Sequence, residues 1–265
     1  MVDSLSEELL AIGLIMNASK TKILTTVFLD TPLYIDMAGT MVEVLSGSTC
    51  HKYLGRHLPG NLSDRGGVEL THRLKAAWGK FHKHRGALLN KHVAIKSRLR
   101  LFESAVTPTV LYGLCTLPMT QHQREQLDIV QRRMLRAIVG WARLPDEDWA
   151  ETMRRVNHRM SSAMALFPIR PWTTQLASRQ FSLAAKLAAR STWASKAIKW
   201  PLASLLDGEH TGAPFRTRGR PKQRWDDALT NFSKQVFPSK SSWIDSAKSR
   251  DEWFSKEQQF LQFCS

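Results

Sequence analysis

Apolar residues recur along this chain in two rhythms, and the change from one to the other divides it. Near the start, Leu5, Leu9, Leu10 and Ile12 fall at helical spacing, with Ser6, Glu7 and Glu8 suited to a helix entry, so a short amphipathic helix is expected over residues 4–14. The β-branched and apolar runs 23–29, 33–37 and 41–45, with a turn at 38–40, read as strands. His51-Lys52-Tyr53-Leu54-Gly55 is expected to close that sheet, Gly55 permitting a tight turn. Residues 60–67 are polar and glycine-rich, and beyond them the period becomes helical.

Leu70, Leu74, Ala77, Trp78 and Phe81 predict a helix, with Arg73, Lys75, Lys80, Lys83 and Arg85 mostly on its other faces. A second helix is expected over 93–106 through Leu99 and Phe102, with Lys96, Arg98 and Arg100 exposed and Pro108 as its limit. Thr120 and Gln123 match a capping box, which predicts a helix burying Leu127, Val130, Met134 and Ile138 and ending at Gly140. Further helices are expected at 147–164, 172–189, 225–236 and 243–260, with 202–218 as a linker. Trp149, Met153, Val156 and Met160 form a stripe expected to lie in the core. The fold class that follows is α+β, a small antiparallel N-terminal sheet followed by a mainly α-helical region. The expected divisions are 1–59, 60–140, 141–201 and 202–265.

Composition narrows the partner. Thirty-eight Lys+Arg against 23 Asp+Glu give a net charge of +15, and the basic residues are spread over several helices and one basic run. That distribution favours a polyanion such as nucleic acid over an acidic membrane. Cys50, Cys115 and Cys264 are widely separated, with no metal-ligand spacing, and read as reduced thiols. Residues 1–8 lack the basic and apolar regions of a secretory signal, and no apolar run is long enough for a bilayer. An intracellular, non-secreted protein without a membrane partner is expected, with the nucleus a compatible compartment.

The segment 13–22, GLIMNASKTK, places Lys20 and Lys22 where a helix gives way to a strand. This order resembles the fourth conserved motif of the reverse transcriptase palm, especially that of LINE-type (non-LTR) retrotransposons. The resemblance implies that Lys20, with Lys22 beside it, contacts the triphosphate of an incoming nucleotide, Lys20 assisting the pyrophosphate leaving group. Tyr53-Leu54-Gly55 resembles the primer-grip segment that follows. The run from Lys96 through Leu111-Tyr112-Gly113 to Gln131-Arg132-Arg133-Met134-Leu135-Arg136 resembles the helical thumb after the palm. By that likeness Lys96, Arg98, Arg132, Arg133 and Arg136 contact the duplex backbone.

Arg218-Gly219-Arg220-Pro221-Lys222 resembles an AT-hook, in which arginines lie along a narrow minor groove. Together with Arg224-Trp225-Asp226-Asp227 it also resembles a pattern near the C-termini of LINE-type polyproteins. Asp226-Asp227 invites comparison with the metal-binding acids of a polymerase, but it leads into Ala228, Leu229 and Phe232 and reads as a helix start. The family's Asp-Asp hairpin precedes the lysine motif, where this chain offers one short helix. The resemblance therefore implies a truncated relative of RNA-directed DNA polymerases that binds RNA, DNA or their hybrid. It implies no catalytic acid and no cofactor for this chain, with Mg²⁺ serving an intact relative. Two other classes fit the composition: a non-enzymatic DNA-binding module using the hook, and a helical interaction protein.

Overall fold

The computed structural model describes residues 2–17, 20–25, 27–37, 39–47, 49–60, 65–189 and 224–264. One short helix leads into small sheets and the remaining helices follow, an α+β chain that is mostly helical. Its contacts divide it into two units, Met1–His72 and Arg73–Ser265.

In the first unit, α1 (Val2–Ala11) precedes β1 (Ile23–Leu24), β2 (Leu33–Met37) and β3 (Thr40–Leu45). The β2–β3 hairpin is antiparallel, from Leu33 opposite Val44 to Met37 opposite Thr40. Strand β1 lies along the other edge of β3 in parallel, Ile23 opposite Val44, so the sheet is mixed rather than antiparallel throughout. Only two residues of the expected 23–29 strand pair, because the chain then turns away: Leu29 N–H bonds Ser46 Oγ and Val27 C=O accepts from Gly47. Alternation on β3 buries Val42 and Val44 and leaves Met41 out, the period of a half-buried strand.

Residues 51–55 do not close this sheet. They belong to a separate antiparallel hairpin of β4 (Cys50–Tyr53) and β5 (Arg56–Pro59). Gly60 joins the two at close quarters, since a Cβ there would lie 2.6 Å from Gly47 Cα and 2.8 Å from Thr25 C=O, a distance no side chain tolerates. The hairpin is also anchored by the next helix, α2 (Arg65–Lys83), where the buried Glu69 carboxylate accepts the His57 N–H at 2.7 Å.

In the second unit, α3 (Arg85–Leu88), α4 (Ile95–Ala105), α5 (Thr107–Leu111), a 3₁₀ turn (Leu114–Thr116), α6 (Gln121–Val139), α7 (Trp149–Leu166) and α8 (Trp172–Ala188) follow in order. Helix α4 ends before Pro108, as expected, and Pro108 itself stands in the first turn of α5, where its missing N–H costs nothing. The capping box on α6 is present in both directions and Gly140 ends the helix at φ +92°. Its apolar stripe is Leu127, Met134, Leu135 and Ile138, with Val130 half-buried at the margin. A second capping box, Asp148 with Glu151, starts α7.

Helix α8 is buried along most of its circumference because both sides carry neighbours. At its start Trp172 stacks on Phe102 of α4, ring centroids 5.9 Å apart. Its far side meets α9 (Asp227–Val236), α10 (Trp243–Lys248), α11 (Arg250–Ser255) and α12 (Glu257–Phe263) in an aromatic core. Phe181 stacks on Trp253 at 4.3 Å and on Phe260 at 4.8 Å. The single helix expected over 243–260 is three short ones, the chain turning at Ser249 and Lys256 so that Trp243, Trp253 and Phe260 all reach that core.

Candidate nucleic-acid interface

The lysine corner is a loop of some length, since α1 ends at Ala11 and β1 begins at Ile23. Lys20 is exposed, its backbone N–H tied to Asn17 C=O and Oδ1. Lys22 is half-buried and its ammonium lies 2.7 Å from the Glu43 carboxylate on β3, so it already neutralises an acid of the sheet. The two lysines thus differ: Lys20 is open to an anion, whereas Lys22 would have to leave Glu43 first.

Tyr53-Leu54-Gly55 is the tip of the β4–β5 hairpin. Leu54 and Gly55 both have positive φ, +48° and +76°, as a two-residue hairpin turn requires. A leucine in that conformation is strained, and its side chain is held outward, 75% exposed, beside a half-exposed Tyr53.

The basic residues of α4 and α6 separate into two kinds. Lys96 is exposed in the first turn of α4. Arg98 was expected to be exposed but is half-buried, donating from Nη1 to Ile138 C=O at 2.7 Å. It satisfies one of the carbonyls left open at the C-terminal end of α6, where a cation also meets the negative end of the helix dipole. Burial pulls its pKa below the ordinary guanidinium value. Arg73, expected on a polar face, is likewise buried, its guanidinium 4.6 Å above the Tyr112 ring.

Arg132, Arg133 and Arg136 converge instead. Arg132 and Arg133 are exposed, and Arg136 is half-buried with its Nε donating to Asn157 Oδ1 of α7 at 3.2 Å. Burial first, then the charges of Arg132 and Arg133, pull the Arg136 pKa down. Three like charges gathered on one short stretch of helix repel one another, and a phosphate between them would relieve that repulsion.

Arg218, Arg220 and Lys222 lie outside the described residues. The acids that follow them do not fit a magnesium site. Asp226 Oδ2 accepts from Trp243 Nε1 at 3.1 Å, and Asp227 Oδ2 accepts from the Arg224 N–H at 2.7 Å at the start of α9. Asp226 therefore ties the start of α9 to Trp243 of the helical core, and Asp227 closes the turn that opens α9. Among the described residues no three His, Cys, Asp or Glu side chains gather into a metal-binding group. Nor is any helix among them long and apolar enough to cross a membrane.

Sequence reasoning missed one feature at this end of α6. Trp149, expected in the core, is 61% exposed, and Trp141 on the loop before it is 45% exposed. Their rings meet edge to face, centroids 6.2 Å apart. The capping box at Asp148 and Glu151 was a readable signal that Trp149 is the first helical residue, one turn short of the packed stripe. No family model, curated protein or solved structure matches the chain.

Proposed function

We propose that this chain is a non-catalytic relative of the LINE-type reverse transcriptases, comprising the end of a palm and a thumb-like helical region, that holds RNA, DNA or their hybrid by its phosphates. The observation that carries the reading is the convergence of Arg132, Arg133 and Arg136, two of them exposed and the third held in place by Asn157. The net charge of +15 supports the same partner class. Arg98 and Lys22 are removed from the contact set, because the fold already uses both. Lys20 and the Tyr53–Gly55 tip remain as further contacts in this reading.

Affinity for duplex, single-stranded and hybrid oligonucleotides over a salt series tests it. On duplex DNA the slope of log affinity against log salt falls by about 0.9 for each phosphate contact removed, so Arg132→Ala with Arg133→Ala together flatten it by about 1.8 if both are contacts. A salt-independent affinity, or no binding at low salt, refutes the reading. The same protein, given a primed RNA template, nucleotides and Mg²⁺ or Mn²⁺, is expected to leave the primer unextended. Two-metal phosphoryl transfer needs carboxylates free to ligate ions, and Asp226 and Asp227 are engaged by Trp243 and Arg224. Extension that follows the protein through purification and is lost in Lys20→Ala overturns the non-catalytic part.

A further inference from the structure

We propose that Trp141 and Trp149 form a stacking site for the unpaired bases of single-stranded nucleic acid, with the strand's phosphates led along the α6–α7 seam to Arg132, Arg133 and Arg136. This rests on the nucleic-acid reading above, but on no part of the polymerase resemblance.

The loop between the two rings is held rather than loose. Arg155 of α7 grips the Glu147 carboxylate with both arms, Nε to Oε1 at 2.5 Å and Nη2 to Oε2 at 2.7 Å. The same Nη2 donates to Ala142 C=O at 2.6 Å, beside Trp141. Thr152 Oγ1 donates to Glu147 Oε2 and Arg143 Nε to Glu147 C=O, both at 3.0 Å. The loop 141–148 is thus closed on itself from both ends, which fixes the backbone that carries the two tryptophans, and their rings meet each other edge to face. Preorganisation of that kind lowers the entropy lost when a ligand is bound.

Placement on the seam ties the rings to the arginines. Trp149 and Asn157 are eight residues apart on α7 and share a helical stripe, about 12 Å apart along the axis. Asn157 bonds Arg136, and Arg136 lies five residues before Trp141 on the chain that leaves α6. One end of the seam therefore carries two aromatic faces, and two turns further along it carries three guanidinium groups.

Charge chooses the occupant. A pair of exposed tryptophans also suits a protein surface, but the acids near them are already engaged. Glu147 is bound by Arg155, and Asp148 and Glu151 accept each other's backbone N–H groups at the positive end of α7. Asp146, Asp148 and Glu151 are exposed there, two of them spent on the capping box of α7, and Arg143, Arg154, Arg132 and Arg133 are exposed around them, so cations outnumber the acids. A polyanion with flat, stackable groups is complementary to both features, since every base has a π-face and each nucleotide brings a phosphate. A blunt duplex offers the phosphates without the faces.

Fluorescence anisotropy with labelled single-stranded DNA, single-stranded RNA and blunt duplex DNA tests this on the whole chain, with thermal melting to show that each variant folds. Trp141→Ala and Trp149→Ala are each expected to weaken single-strand binding by about 5- to 150-fold while duplex binding changes by less than about 2-fold. Trp149→Phe keeps a stacking face and is expected to recover most of the single-strand affinity. Folded alanine variants with unchanged single-strand affinity, or with equal losses on duplex, overturn the stacking site. Salt-dependent duplex binding that persists in that case leaves the phosphate reading standing. Absence of binding to every oligonucleotide defeats both, and capture of an acidic peptide through the two tryptophans in its place identifies the patch as a protein surface.

Discussion

Gln131 is the polar residue in the apolar stripe of α6, and its loss should be felt at the start of another helix. Helix α8 has no side-chain cap of its own, because Pro171 stands at its N-cap. Its first N–H groups are satisfied from α6: Trp172 N–H donates to Gln131 Oε1 at 2.9 Å and Thr173 N–H to Asp128 Oδ1 at 3.1 Å. Gln131 is 3% exposed and Trp172 is fully buried, so no water replaces a lost acceptor there. Gln131→Leu fills nearly the same space and removes the acceptor. The other partner, Arg170 C=O, keeps a bond from Gln175 Nε2 at 3.1 Å, so the main penalty is one orphaned buried donor. Such a group costs about 1–3 kcal/mol. For a chain of this size that corresponds to a fall in melting temperature of about 2–12 °C. Urea melting gives the free energy and calorimetry the temperature, with Gln121→Leu as the exposed control on the same helix, expected within about 0.5 kcal/mol of the parent. A Gln131→Leu protein as stable as the parent, or more so, would falsify the claim that α8 is capped from α6.

Two further outcomes are expected. Met134 is fully buried on the same helix, and Met134→Ala should cost about 2–5 kcal/mol in denaturant melting; a change near zero means the packed face is assigned wrongly. The Arg155 hydrogen bonds hold the Glu147 carboxyl down from 4.5 to about 2, so the folded-state pKa is the lower one. The loop's contribution is therefore whole above about pH 4.5 and fades as the pH falls toward 2. Tryptophan emission of the Trp141–Trp149 loop should be level from neutral pH through 4.5 and change only as the pH approaches 2, where Glu147 is protonated in the folded chain. Glu147→Gln should remove that acid phase, and an identical phase in the variant means the transition belongs elsewhere.

Much of the second unit was legible because its signals are local. A capping box needs only Thr120, Gln123 and the apolar spacing between them, and Gly140 ends α6 for reasons contained in its own backbone. The β2–β3 hairpin was legible for the same reason. What the sequence did not reveal depends on contacts between distant residues. That β1 joins β3 in parallel follows from a chain crossing over about twenty intervening residues, which no alternation encodes. The break of 243–260 into three helices follows from the demand that Trp243, Trp253 and Phe260 reach one core around Phe181. An uninterrupted helix would carry them past it. On α6, spacing sets Arg132, Arg133 and Arg136 side by side but gives no means of telling them from Arg98, whose partner lies forty residues away.

That last distinction decides which residues could take part in the proposed binding. An arginine whose donors end on backbone carbonyls is part of the scaffold: Arg98 on Ile138 ties α4 to the end of α6, and Arg155 on Ala142 and Arg143 on Glu147 close the loop between α6 and α7. Moving any of them to a phosphate would reopen a helix end or the tryptophan loop, so the affinity gained would be offset by the structure lost. Arg132 and Arg133 carry no such obligation, having no hydrogen-bond or ionic partner among the described residues. Arg136 stands between the two kinds, anchored through Nε to Asn157 with its terminal nitrogens still able to donate. The scaffold arginines thus fix the frame in which the other three, and the two tryptophans, are presented. On the proposed reading a net charge of +15 therefore overstates the binding surface: among the described residues, a phosphate chain would meet the smaller set of cations that folding has left uncommitted.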